Sequence, residues 1–173
     1  MKISKTWKYL GIVTVVLIVA YFVYGYNVTT SQVFGKVYYK GNSSEKVIAL
    51  TFDDGPNEPY TSEILDILNK YNIKATFFVI GENVEFYPNT TKRILADGNV
   101  LGDHSYSHLR FHALTNQGCK EVKLAQDAIF KTVGVKSHLY RPPWGKKSPW
   151  EILCVKNLGL DEVTWTYATS LEF

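Results

Sequence analysis

Cysteine is scarce in this 173-residue chain, which holds only Cys119 and Cys154. Two thiols cannot build the multi-bridge framework that replaces a core in small secreted domains, and their spacing fits no zinc motif. They read as structural or incidental thiols rather than a bridge. Histidine is also scarce, with four residues. Charge of one sign is lacking: the net charge is +3 and includes Lys2, Lys5 and Lys8. Without those lysines the chain is near neutral, which excludes the basic footprint of a nucleic-acid binder. Internal repeats and low-complexity blocks are absent as well. What remains is ordinary globular composition, long enough for one domain with a real core. Aromatics, by contrast, are plentiful at 14%, with twelve tyrosines and four tryptophans. They suit stacking on sugar rings, and they equally serve cores and membrane interfaces.

The amino end carries an apolar run, Leu10 to Tyr24, without a charged residue. Trp7 and Tyr9 flank it before, and Tyr21, Tyr24 and Tyr26 close it. Counted from Tyr9 to Tyr26 it reaches the ~18 residues a spanning helix needs. Lysines before the run and aromatics at both ends fit the positive-inside rule and the aromatic belt. The exit, Ala20-Tyr21-Phe22-Val23-Tyr24, is too bulky for a small-x-small cleavage site, so an uncleaved signal anchor is expected. The expected organisation is a cytoplasmic basic end (1–8), a transmembrane anchor (9–26), a polar stalk (27–45) and a catalytic domain (46–173). That places the domain outside the cell membrane on a single-pass anchor. The stalk has room for an edge strand near Gln32–Tyr39. Sequons at Asn27, Asn42 and Asn89 matter only in a glycosylating host.

From Lys46 onward, strand and helix signals alternate. Strands are expected at 46–52, 75–80, 99–102, 138–141 and 162–167. Helices are expected at 60–71 (N-capped by Thr61 or Ser62), 84–97, 115–132 and 148–157. This alternation implies βαβ units and a parallel sheet, an α/β fold with its chemistry at the carboxyl ends of the strands.

Three groups fall at those ends. Asp53 and Asp54 follow the first strand in Asp-Asp-Gly-Pro, which alone is a good turn but leaves two adjacent carboxylates in want of a positive partner. His104 and His108 follow the third strand, and a spacing of four puts two imidazoles on one face of a helical turn. Two histidines and a carboxylate make a three-ligand site with open positions, the pattern of catalytic rather than structural zinc. Arg141-Pro142-Pro143-Trp144-Gly145 follows the fourth strand, with the prolines fixing the backbone beside Arg141. Each group alone has a plain structural explanation. A parallel sheet bringing all three to one rim makes three coincidences implausible.

At these residues the sequence resembles the polysaccharide deacetylase family, carbohydrate esterase family 4. Thr51-Phe52-Asp53-Asp54-Gly55-Pro56 is similar to its first motif, His104-Ser105-Tyr106-Ser107-His108 to its second, and Arg141-Pro142-Pro143-Trp144-Gly145 to its third. The resemblance implies a distorted, incomplete (β/α) barrel of mainly parallel strands, here preceded by one transmembrane helix. It implies that Asp54, His104 and His108 bind one divalent metal, zinc or else cobalt or another ion. Asp53 would be the general base for the metal-bound water, Arg141 its partner, and the Trp144 backbone N–H an oxyanion donor. Pro143, Trp144 and Trp165 would line the substrate. The implied reaction removes N-acetyl groups from an N-acetylglucosamine polysaccharide, peptidoglycan or a chitin-like glycan, by a monomer. An O-acetyl xylan esterase and an inactive glycan-binding relative are the alternatives.

Two family motifs do not match. Val163-Thr164-Trp165-Thr166-Tyr167 supplies a strand, but only Glu172-Phe173 echoes the fourth motif. The Leu-x-His that would bring the general acid is absent, and neither His112 nor His138 takes that role. A chain ending before its domain is complete, with impaired activity, is the expectation.

Overall fold

The computed structural model describes residues 4–41, 44, 46–115 and 117–168. Lys2, Asn42 and the Glu172-Phe173 pair lie outside the described residues. Helix α1 (Lys5–Asn27) comes first, with the Ser4 hydroxyl accepting from Trp7 N at its start. Its apolar side chains are exposed from Trp7 to Tyr24, and it is long and apolar enough to cross a membrane.

The elements that follow are β1 (Thr51–Gly55), α2 (Tyr60–Lys70), β2 (Thr76–Val79), α3 (Gly81–Phe86) and α4 (Pro88–Ala96). Then come β3 (Val100–Asp103), α5 (Gln117–Val133), β4 (Leu139–Tyr140), α6 (Pro149–Asn157) and β5 (Asp161–Glu162). The five strands pair in parallel in the order β1-β2-β3-β4-β5. The sheet curls: Arg141, just after β4, reaches Thr51 Oγ1 at 2.9 Å and Asp53 Oδ1 at 2.6 Å on β1, which is not its neighbour. The parallel α/β architecture read from the alternation is therefore present, as a curled sheet that among the described residues does not close between β1 and β5.

Among the described residues, two core clusters lie between sheet and helices, a small one of Val122, Tyr140, Val155 and Leu160 and a larger one. In the larger, Phe77 and Val79 of β2 and Leu101 of β3 meet Leu65 and Leu68 of α2, Val84 of α3, Ile94 of α4 and Ile129 of α5. Each fully buried aliphatic side chain contributes roughly 1.5–3 kcal/mol. The intervening Phe78 faces the other way, into the curl, where it closes on Gly102. A Cβ on Gly102 would sit 2.3 Å from the Phe78 ring, so only glycine fits there.

Several expectations need correction. Cys119 of α5 and Cys154 of α6 form a disulfide with Cα atoms 5.7 Å apart. Nothing in the spacing of two distant cysteines announces that their helices adjoin, and the closed loop is worth about 4 kcal/mol in the chain-entropy account. Residues 46–50 are not strand: β2 begins level with Thr51, and Val47 and Ile48 are exposed. The helix expected over 84–97 is two, because Pro88 restricts Tyr87 and lacks the N–H a continuing helix needs. Neither Thr61 nor Ser62 caps α2, which starts after Pro59. Thr61 Oγ1 instead accepts from Asn57 N. The last strand is short, with a single parallel bridge at Val163. Its partner is Tyr38, from the segment read as stalk.

Candidate active site

The ends of β1, β3 and β4 build the site. Along β1, Phe52 pairs with Phe77 but Gly55 pairs with Val79, so β1 carries one extra residue between them. Successive residues of a regular strand point to opposite faces. This bulge, with Asp54 at φ 68°, re-aims them so that both carboxylates serve the same rim. Asp53 turns to Arg141 and Asp54 turns to the histidines. Asn83 Nδ2 donates to the Asp54 carbonyl at 2.9 Å and ties the bulge to α3.

His104 follows β3 directly and is buried. Its Nδ1 donates to the Arg141 carbonyl at 2.7 Å, which leaves Nε2 facing Asp54 Oδ1 at 3.4 Å. His108 Nε2 lies 3.2 Å from the same oxygen. The expected helical turn is absent, since residues 104–108 form a loop with Ser105 at φ 66° and His108 at φ 53°. Buried groups hold this left-handed path. Asp103 Oδ1 accepts from Ser105 N at 2.8 Å, and its Oδ2 accepts from Gln126 Nε2 at 2.9 Å. Glu121 Oε2 accepts from Ser107 N at 2.8 Å and Ser107 Oγ at 2.7 Å. The Ser105 hydroxyl in turn accepts from His108 N at 3.1 Å. Strain of this kind persists where the surroundings over-determine it. Asp103, Glu121 and Gln126 were not anticipated, although Asp103 immediately precedes the first histidine.

The ligand atoms of Asp54, His104 and His108 all lie within 4.8 Å of one another. Ligands of a tetrahedral zinc ion stand about 3.3 Å apart, so the two Asp54 distances match a shared ion. Three acceptors held this closely repel one another unless a cation sits among them. The donor set therefore fits a divalent metal. When the His104 ring also carries a proton on Nε2, its hydrogen bond holds the Asp54 carboxyl below its ordinary range, against the opposing effect of partial burial; an ion bound to both takes that proton's place. Burial, with His104 beside it, lowers the pKa of His108 and favours the neutral, ligating imidazole. Burial pushes Asp103 up to about 8.

Arg141 lies under the rim, 4.0 Å from the Phe78 ring centroid and 5.6 Å from that of Trp165, and burial lowers its pKa. Its NH2 donates to the Thr164 carbonyl at 3.1 Å. Pro143 is buried, while Trp144 is 55% exposed at φ 60°, with its ring 5.3 Å from that of His108. Among the described residues, the Trp144 N–H has no acceptor. Trp165 lies behind Gly145, so it backs the loop as well as edging the site. His112 belongs elsewhere: it is buried, with Nε2 2.9 Å from Glu151 Oε1, and Tyr140 OH donates to the same oxygen. Burial opposes its charged form, but Glu151 outweighs this and raises its pKa. His138 is exposed.

Known proteins resemble this chain in sequence and fold. Peptidoglycan-N-acetylmuramic acid deacetylase PdaC of Bacillus subtilis (strain 168) is 48% identical over 103 residues, covering 59% of this chain and 22% of that protein. PdaA of the same organism, also a peptidoglycan-N-acetylmuramic acid deacetylase, is 37% identical over 133 residues, 76% of this chain and 51% of its own. Among solved structures, the Bc1960 peptidoglycan N-acetylglucosamine deacetylase superposes with a TM-score of 0.71 at 32% identity, covering 75% of this chain and 61% of that one. BA3943, a carbohydrate esterase family 4 pseudoenzyme from Bacillus anthracis, gives 0.71 at 25% identity over 76% of this chain and 47% of its own. The chain spans 22% to 51% of the length of these two curated relatives. The family model for polysaccharide deacetylase matches residues 40–163, a stretch that takes in all five strands, the Asp54–His104–His108 cluster and the Arg141 loop. This chain belongs to the polysaccharide deacetylase family.

Proposed function

We propose that the protein removes N-acetyl groups from N-acetylglucosamine-containing cell-wall polysaccharide, peptidoglycan or a chitin-like glycan, outside a membrane that α1 spans. The convergence of Asp54, His104 and His108 beside the Asp53–Arg141 pair carries the reading. Those three residues would hold one divalent ion, zinc or alternatively cobalt. Bound there, the ion supplies a Lewis acid that polarises the acetyl carbonyl and eases deprotonation of water. Asp53 takes the proton from the attacking water, and Arg141, 2.6 Å away, keeps its carboxylate aimed at the rim. The free Trp144 N–H donates to the oxygen of the acetyl group as charge develops there, a contact worth about 3 kcal/mol. Pro143, the exposed Trp144 ring and Trp165 border the sugar. The products are acetate and a free amine. No described residue is assigned as the acid that protonates the departing amine. The chain acts as a monomer, its catalytic domain on the outer face.

The test is acetate release from N-acetylated chitooligosaccharides and peptidoglycan, with acetylated xylan alongside, before and after chelation. Acetate from the N-acetyl substrates, lost on chelation and regained with Zn2+ or Co2+, supports the reading. Release from xylan alone makes it an O-acetyl esterase. Metal uptake with no acetate from any substrate makes it an inactive glycan-binding relative; one protein of similar fold is a pseudoenzyme.

A further inference from the structure

The segment between α1 and the site is not a free tether. Asn27, the last residue of α1, accepts from Lys146 Nζ at 2.6 Å. Lys147 is fully buried, and its Nζ donates to the carbonyls of Val28 at 2.6 Å and Thr29 at 3.0 Å. Thr164 Oγ1 donates to the Thr29 carbonyl at 3.1 Å. Gly145 lies so near this segment that a Cβ on it would be 2.5 Å from Thr29 Cγ2. Phe34 closes on Gly25 and packs tilted against Phe22, ring centroids 5.5 Å apart, so the chain folds back onto the end of α1. Beyond it, Tyr38 N donates to the Glu162 carbonyl at 2.8 Å, and Thr164 N donates to the Tyr38 carbonyl at 2.9 Å.

Burying an ammonium costs several kcal/mol unless it is well partnered. Burial lowers the pKa of Lys147, and the Glu162 and Glu151 carboxylates act against that. A loose stalk requires no such group. The partners of Lys147 are carbonyls of the juxtamembrane segment, and its chain neighbours are the site: Trp144, whose ring packs tilted against His108, lies three residues back. Three residues span at most about 11 Å. A random coil over 27–45 would instead let the domain range over about 24 Å. Arg110 reinforces the same rim, its guanidinium 5.7 Å from the rings of both Trp144 and Phe111.

We infer that this clamp holds the catalytic rim against the outer face of the bilayer, so that the glycan it deacetylates is still anchored to a lipid. The inference rests on the deacetylase reading and on α1 spanning the membrane. The full chain in liposomes tests it, presented with a chitooligosaccharide coupled to phospholipid through spacers from about 10 Å to about 80 Å. Effective concentration at a fixed site falls roughly as the −3/2 power of tether length, so turnover should drop about twentyfold across the series. A flexible Gly/Ser insertion of about twelve residues between Asn27 and Val28, combined with Phe34→Ala to release the contact with Gly25 and Phe22, frees the domain while keeping the Lys147 contacts. It should move the best spacer outward and leave turnover of the free oligosaccharide unchanged. A flat wild-type profile, or the same profile in both proteins, overturns the inference and leaves deacetylation standing. Absence of acetate from free and anchored glycan alike removes the reading beneath it, and the inference with it.

Discussion

Two loops flank the candidate metal centre, and they are held from opposite sides. The loop 104–108 is fixed from within the domain: Asp103 and Glu121, both buried, take its backbone N–H groups and keep two residues at positive φ. The loop 141–147 is fixed at Arg141 from within the α/β unit, by Thr51, Asp53 and Thr164, and at its far end from outside it, through Lys146 and Lys147 to residues 27–29. Ligand geometry and the Asp53–Arg141 pair therefore depend on the core, whereas Trp144, the group that would handle the acetyl oxygen, depends also on the juxtamembrane segment. Substitutions can separate the two dependences.

The largest effect is expected where the loops meet. Asp53→Asn should lower kcat by about 10²–10⁴ while metal content stays constant, and a variant that also loses its metal would place Asp53 among the ligands. Next, Glu121→Ala frees Ser107 and should weaken metal affinity about 10–100-fold, measured by competition with a chromophoric chelator. Lys147→Met should leave metal affinity unchanged and raise amide exchange at Ser31, whose N–H is bonded to the Val28 carbonyl. Equal losses of metal affinity in these two variants would erase the distinction between the loops.

The smallest expected effect is on pH dependence. Glu162 is buried with neither carboxylate oxygen partnered among the described residues, and burial pushes its pKa up to about 8. In the unfolded chain it titrates near about 4.3. The folded state therefore binds the extra proton between these values. The stability this confers is full below the lower one and falls as pH rises towards the upper one. Glu162→Gln should remove that fall, so its melting temperature should gain on the wild type between about pH 5 and about pH 9. Parallel curves would show that Glu162 does not titrate in the folded protein over this range.

Much of this architecture was legible in the residues. Strand and helix periods gave the α/β order, and the rule that parallel sheets work at their carboxyl ends gathered Asp53, Asp54, His104, His108 and Arg141. What escaped depends on contacts that a linear pattern does not contain. The β1 bulge exists only in register with β2. A spacing of four between His104 and His108 suggests a helical turn, yet the path is set by Asp103 and by Glu121, the latter thirteen residues past the second histidine. Lys147 looks like any surface lysine until its two carbonyl partners are seen. The break at Tyr87-Pro88, by contrast, was in plain view, since proline ends a helix at the residue before it.

Titration of metal-free protein with Zn2+ by calorimetry, repeated for Asp54→Ala, His104→Ala and His108→Ala, bears most directly on the site. One ion per chain, lost or weakened by orders of magnitude in each variant, is the expected result. Unchanged binding in all three, or none in the wild type, would contradict the assignment of these side chains to a single cation.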